Sequence, residues 1–456
     1  MRSAAENRLL IENELPPLPD GWRIERFRFL FSESKERNGA TPIGDMLSVS
    51  EYRGVVPREY EHEEQRRTDQ ELENYRVVRP GQLAVNTMWL NHLGLGISDH
   101  IGHVSPAYAV YQPSKRLDGR FVHHLLRSQF YLKIYLRYLY GIRPNSFQIK
   151  SDDWKSIPVI LPDLPTQKAI AAFLDRETAR IDQLIEKKQR LVELLGERRR
   201  ALLSDVVTGA FTHPNNLKPT GSGFVPQLPT HWRLATLKQI ARVRGGITVG
   251  RKVSEEVATR TVPYMRVANV QASYLDLSDV ATLEVTDGEK ARYALKLGDV
   301  LMIEGGDNDK LGRGAVWSGQ LQGAIHQNHV FAVRPKDRRL SLWISMCSNA
   351  QFGRDYFFLN SRQSTNLASV SKTRAERMPI PLPPIDEVNS TVDLWSSLEH
   401  GLANTVDKTS NSIDRLKEYR SALITAAVTG QIDVETWSRR GEGDRRLDRI
   451  EEEMAG

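Results

Sequence analysis

The chain says the same thing twice. Arg199-x-Ala201-Leu202 followed by Val207-Thr208-Gly209 returns as Arg420-x-Ala422-Leu423 followed by Val428-Thr429-Gly430, a displacement of 221 positions. Two such intervals nearly fill the 456 residues, so the chain reads as one unit duplicated. Three more blocks recur in the same order. Leu15-Pro16-Pro17-Leu18-Pro19-Asp20-Gly21-Trp22 matches Val225-Pro226-Gln227-Leu228-Pro229-Thr230-His231-Trp232, Arg79-Pro80-Gly81-Gln82-Leu83 matches Lys296-Leu297-Gly298-Asp299-Val300, and Ile157-Pro158-Val159-Ile160-Leu161-Pro162 matches Met378-Pro379-Ile380-Pro381-Leu382-Pro383. Each half therefore opens on a Pro-rich turn and a Trp, crosses a mixed segment, and ends in a helix stopped by Thr-Gly. Trp22 and Trp232 read as core residues rather than stacking platforms.

The helical segments carry a heptad pattern. In the first, Leu174, Ile181, Ile185, Val192, Leu195 and Leu202 form an apolar seam that Leu184 and Leu191 widen. The displacement of 221 carries the frame onto Leu402, Val406, Ile413, Leu416 and Leu423, with Trp395 also on the seam. Polar interruptions coincide too, Lys188 with Thr409 and Arg199 with Arg420. A seam flanked by charge needs a cover, and its duplicate supplies one. The expected fold class is α+β: two similar mixed α/β domains joined by two long helices that pair as an antiparallel coiled coil, with a pseudo-two-fold internal repeat. Each seam should run roughly 50 Å at about 1.5 Å per residue. The expected divisions are an N-terminal extension (1–14), a first domain (15–164), a first long helical region (165–211), a linker (212–224), a second domain (225–383), a second long helical region (384–434) and a charged tail (435–456) that reads as a frayed helix.

Sixty-three Lys and Arg against 57 Asp and Glu give a net charge of +6 and a pI near 9.2, a mild excess suited to a polyanionic partner. Cys347 is the single cysteine, which rules out an internal disulfide framework and a multi-Cys zinc site. No stretch approaches 18 apolar residues, so the expected location is the cytoplasm, with no membrane association.

Catalytic signatures are missing from the sequence. Gly245 and Gly250 have the spacing of a nucleotide-binding loop, but Arg251 stands where the phosphate-binding Lys belongs. There is no Asn/Asp-Pro-Pro-aromatic motif of the kind that amino-methyltransferases use on a flipped base. His92, His100 and His103 lack a convincing Cys or carboxylate partner and read as polar loop histidines, so no metal site is expected. What both mixed domains offer is loops rich in amides and cations. The candidates for DNA contact are Asn86, Trp89, Asn91, His92, His100, Arg143 and Asn145 in the first domain. In the second they are Arg244, Arg251, Lys252, Asn308, Lys310, Arg313, Gln327, Asn328, Arg362 and Asn366. Arg and Lys can pair with guanine O6 and N7, Asn and Gln with adenine N6 and N7, and neighbouring glycines let backbone approach phosphate.

In these blocks the chain resembles the specificity subunits of type I restriction-modification systems. The marks are LPPLPDGW and VPQLPTHW at the domain openings, IPVILPDLPTQKAIAAFLD and MPIPLPPIDEV at the exits, and RRRALLSDVVTGAF and YRSALITAAVTGQI at the helix ends. The second exit departs from the family pattern in lacking the Gln of Leu164-Pro165-Thr166-Gln167. The resemblance implies two target-recognition domains that read a bipartite, gapped sequence in double-stranded DNA. It also implies methyltransferase and restriction/translocase subunits as partners, with S-adenosylmethionine, ATP and Mg used by those partners and no cofactor bound by this chain. Alternatives from the residues alone are a recognition subunit serving another modification or cleavage partner, a stand-alone DNA-binding regulator, and a coiled-coil scaffold.

Overall fold

A computed structural model describes residues 17–50, 53–60, 67–140, 148–251, 256–363 and 367–455, with side chains to 451. The chain divides into two compact units, 1–189 with 408–456, and 190–407. Each takes one mixed domain and half of each long helix.

The first unit opens with β1 (Arg23–Arg26), whose antiparallel partner is β10 (Pro158–Leu161) at the domain's far end. Between them, β2 (Phe31–Glu33), β6 (Leu83–Asn86), β7 (Leu95–Ile97) and β9 (Tyr108–Pro113) make a sheet of order β2-β9-β6-β7. A second sheet, β4-β3-β8-β5, is built from β3 (Asp45–Ser50), β4 (Gly54–Pro57), β5 (Arg76–Val78) and β8 (Gly102–Val104), with β3 and β8 parallel. The second unit repeats the plan. β13 (Arg233–Thr236) pairs with β24 (Pro379–Leu382). β14 (Ala241–Arg244), β17 (Val300–Ile303), β19 (Gly314–Val316) and β21 (Val330–Pro335) form β14-β21-β17-β19, and β15 (Thr259–Met265), β16 (Thr282–Thr286) and β20 (Ile325–His326) form β16-β15-β20, again with one parallel pair, β15 with β20.

The repeated turn blocks have a common physical basis. Gly81 and Gly298 have φ of +84° and +89°, the left-handed conformation a type II turn requires at its third position. The next residue caps the turn in both copies. Gln82 Oε1 accepts from Arg79 N at 2.9 Å, and Asp299 Oδ2 from Lys296 N at 2.8 Å.

The long helices, α6 (Leu164–Val207) and α12 (Ile385–Val428), are each 44 residues, and both bounds are displaced by 221. At 1.5 Å per residue each is about 66 Å long, more than the apolar seam alone suggested. Pairing is antiparallel within each unit. In the first, the start of α6 (Ile170, Ala171, Leu174) shares a core with the end of α12 (Leu423, Ala427, Val428), and Asp182 takes both Arg420 Nε and Nη2 at 2.8 and 3.1 Å. In the second, the end of α6 (Leu203, Val206, Val207) shares a core with the start of α12 (Val388, Trp395), and Arg199 pairs with Glu399. Leu174, Ile181, Ile413, Leu416 and Leu423 are buried. Ile185, Val192, Leu195, Leu202, Leu402 and Val406 are half-buried, while Leu191, expected to widen the seam, is 44% exposed because it points off the paired face.

Three further features differ from the sequence-based reading. The linker is structured, since Leu217–Pro219 (β11) pairs with Gln227–Pro229 (β12). The charged tail is a docked pair of helices, α13 (Val434–Arg439) and α14 (Glu442–Ala455), because Leu447 and Ile450 lie on one helical face and bury in the first unit's core. The missing Gln of the second exit is replaced apolarly. Gln167 is fully buried, accepts from Asp118 N and donates to the Arg116 and Pro162 carbonyls, whereas Val388, its counterpart 221 residues on, fills the same buried place.

Both helix stops are left-handed glycines, Gly209 and Gly430, with φ of +74° and +72°. A Cβ on Gly430 would strike Pro19 and Trp22, and one on Gly209 would strike Pro229 and Trp232. The end of each long helix is thus seated on the opening turn of the domain in its own unit. Gly209→Ala and Gly430→Ala are each expected to lower unfolding stability by about 1 to 3 kcal/mol, read as a shifted denaturation midpoint. Gly21→Ala has a positive φ but open space around it, and should have the smaller effect.

Candidate nucleic-acid interface

The connection from β6 to β7 and the connection from β17 to β19 occupy equivalent positions at the edge of the corresponding sheet of each unit. Leu83 faces Ile97 and Val85 faces Leu95 in one; Val300 faces Val316 and Met302 faces Gly314 in the other. The frames match, and the loops they carry are unrelated in sequence. In the first, Asn86 Oδ1 accepts from Met88 N at 3.2 Å, and Trp89 packs tilted against His92, ring centroids 5.2 Å apart. Leu93 closes the loop at φ +52°, a strained conformation for a branched residue, held by Arg127, which donates to the Leu93 and Leu95 carbonyls. Asn91 Oδ1 is buried without a hydrogen-bond partner among the described residues. His100 is exposed on the next turn, apart from this loop. Arg143 and Asn145 lie outside the described residues, as do Lys252 and Asn366.

In the second unit the loop after β17 runs into β18 (Gly305–Gly306), which joins β22 (Arg362–Gln363) and β23 (Ala368–Ser369) in a small sheet. Beside it opens a cleft of about 600 Å³. Two expected residues, Gln327 and Arg362, line it, together with Arg266, His329, Gln363 and Ser369. Asn328 neighbours it through His329, Nδ2 to Nε2 at 3.5 Å, while His329 Nδ1 meets Glu304 at 3.0 Å. Arg362 is exposed and pairs with no carboxylate among the described residues. Asn308 is exposed on the glycine loop. Arg266 was not anticipated from sequence. The parallel pairing of β15 with β20 sets Met265 beside His326, and Gln327 N donates to Met265 O at 3.0 Å, which puts Arg266 at the cleft. No local motif announces such a contact.

Several expected cations are committed elsewhere. Arg251 clasps Glu289 through Nε and Nη2, at 2.5 and 2.7 Å, and donates to Glu284 O. Arg313 pairs with Asp309 at 2.8 Å, lies only 20% exposed and braces the glycine loop from within, Lys310 pairs with Asp307, and Arg244 donates to the Arg292 carbonyl. These four hold loops in shape, whereas Arg362 is exposed at the cleft and in no ion pair among the described residues. Arg362→Ala is expected to weaken binding by about 1 to 3 kcal/mol at one base position, tested against a panel of single-base variants of the target. Arg251→Ala should leave base preference unchanged and lower stability. The Arg251 guanidinium holds Glu289 down at about 2, from a usual 4.5, so the pair's stabilisation is complete above about 4.5 and is lost as pH falls through about 2.

The repeated frame, the unlike loops and the paired helices define a duplicated two-domain protein whose two halves present different polar surfaces. The chain is similar to type I specificity subunits. It is 23% identical over 326 residues to the specificity subunit of the EcoKI type I restriction enzyme of Escherichia coli, spanning 71% of this chain and 68% of that protein. It is 22% identical over 216 residues to a putative type I specificity subunit, MjaX, of Methanocaldococcus jannaschii, a match spanning about half of each, 47% and 49%. Among solved structures, a chain from a type I restriction-modification system in a study of complex assembly and conformational transition aligns with a TM-score of 0.62 at 17% identity, over 91% of this chain and 100% of that one. That likeness establishes the fold. No family model matches the chain. Among the described residues no helix is long and apolar enough to cross a membrane.

Proposed function

We propose that this chain is the DNA sequence-recognition subunit of a type I restriction-modification enzyme. It reads a bipartite, gapped target in double-stranded DNA, one half with each domain, and directs adenine methylation and restriction by partner subunits. The observation that carries this reading is the pair of matched hairpin positions bearing unmatched loops, since reading two different short sequences requires one scaffold and two surfaces. Relatives named as specificity subunits support it. In this reading the chain itself is non-catalytic and works in the cytoplasm. Methyltransferase subunits supply S-adenosylmethionine chemistry, and restriction/translocase subunits use ATP and Mg. Phosphate contacts from Lys and Arg of this net basic chain supply affinity and salt dependence, and a few bidentate contacts per domain supply identity.

The test is reconstitution. Mixed with its cognate methyltransferase subunit and S-adenosylmethionine, the purified chain should restore adenine methylation at one gapped site, mapped by methylome sequencing. Alone it should transfer no methyl group. Turnover by the chain alone after removal of partner traces, or methylation whose target does not depend on this chain, would overturn the assignment.

A further inference from the structure

Three side chains of the second unit outside the candidate DNA-contact residues converge where its long helices meet the domain. His213 lies just past the α6 stop, His231 in the opening turn before Trp232, and Glu387 in the first turn of α12. Their potential ligand atoms all lie within 4.8 Å of one another. Glu387 Oε2 is 3.0 Å from His231 Nε2, and its Oε1 is 3.7 Å from His213 Nε2. Ligands on a tetrahedral zinc ion at about 2.0 to 2.2 Å stand roughly 3.4 Å apart, so a small rotation of the Glu387 carboxylate brings one of its oxygens into ligand range of both imidazoles. We propose that His213, His231 and Glu387 form a binding site for a divalent transition-metal ion of the zinc class, with water as the fourth ligand. No local motif announces it, because Glu387 lies 156 residues beyond His231.

The surroundings suit that role. Thr212 Oγ1 sits 2.8 Å from His213 Nδ1 and 3.5 Å from the Gly209 carbonyl. With its hydroxyl proton directed at the carbonyl, it accepts from Nδ1–H, which leaves the Nε2 lone pair facing Glu387. Orientation of a ligating imidazole through its other nitrogen is the usual outer arrangement of a zinc site. The backbone around the three is anchored: His213 N donates to Gly209 O, Trp232 N, next to His231, to Pro229 O, and Glu387 N to Pro384 O. His231 is 41% exposed at its side chain, so solvent reaches the fourth position. Two imidazoles and a carboxylate favour zinc over calcium or magnesium, which prefer all-oxygen ligands.

The first unit carries no counterpart. Gly21 stands where His231 does, Thr166 where Glu387 does, and Val434 where His213 does. The ion would therefore fasten three segments in one half only: the hairpin linker, the domain opening and the second long helix.

The experiment uses the full chain, stripped with a chelator and then equilibrated with zinc sulfate. One zinc per chain should survive gel filtration, and thermal unfolding should move upward with zinc concentration. The folded-to-unfolded ratio rises about 100-fold at 100 times the dissociation constant. Cobalt(II) substituted for zinc should show the intense visible bands of a four-coordinate site. His231→Gly, which installs the residue the first half uses, and His213→Gln should each abolish the stoichiometric ion and the zinc-dependent shift. The metal-free melting temperature of His231→Gly reports its folding independently. No retained metal in the wild-type chain, or equal retention in the His213→Gln/His231→Gly double variant, which would assign the metal to other histidines, would overturn the proposal.

Discussion

Replacing Arg334 with Gln is expected to lower the stability of the second unit by about 3 to 5 kcal/mol, because it strands a buried charge. Asp299 is 1% exposed, and Arg334 takes both of its oxygens at 2.7 Å through Nε and Nη2. The first unit solves the same position without charge. Gln82 stands where Asp299 does, and Gln112, its neighbour on β9, where Arg334 does on β21, with Gln82 Nε2 donating to Gln112 Oε1 at 3.4 Å. The double variant Asp299→Gln/Arg334→Gln installs that neutral pair and should recover most of the loss. Chemical denaturation of the two singles and the double closes a mutant cycle. A double variant as unstable as the sum of the singles would show that the amide pair cannot serve the second sheet.

Exchange of residues 225–383 for the equivalent domain of a relative should change one half of the methylated site and leave the other half as it was. The expectation rests on the shared β1–β10 and β13–β24 closures, which bring the two ends of each domain side by side and leave a short, repeated seam at which to cut. Sequencing of methylated adenines in a host carrying the chimera reads both halves at once. A change in both halves, or in neither, would refute independent reading by the domains.

The duplication, the helices and the turn blocks were legible because they are local. A helix stop at Thr-Gly, a Pro-Gly turn with its cap, and a heptad seam are each specified within a few residues. What escaped depended on distant partners. The parallel pairs β3 with β8 and β15 with β20 leave no periodic trace, so the place of Arg266 beside Gln327 was invisible. Arg251 and Arg313 looked available for DNA because Glu289 and Asp309 do not announce themselves as their partners. Leu447 and Ile450 were masked by the charges around them, although their spacing of three fits one face of a helix.

The division of the chain has a consequence for its synthesis. The second unit is one contiguous stretch, 190–407, while the first is assembled from 1–189 and 408–456. On the ribosome the second unit therefore has all of its residues before the first does, reversing the usual order in which domains fold from the N-terminus. Until Leu416, Leu423, Val428 and Ile450 emerge, the apolar face of Ile170, Leu174 and Ile181 has no cover. The nascent first half must stay soluble across more than 200 residues of elongation, at about 5 to 20 residues per second an exposure of ten seconds or longer. That interval is when a chaperone would matter most.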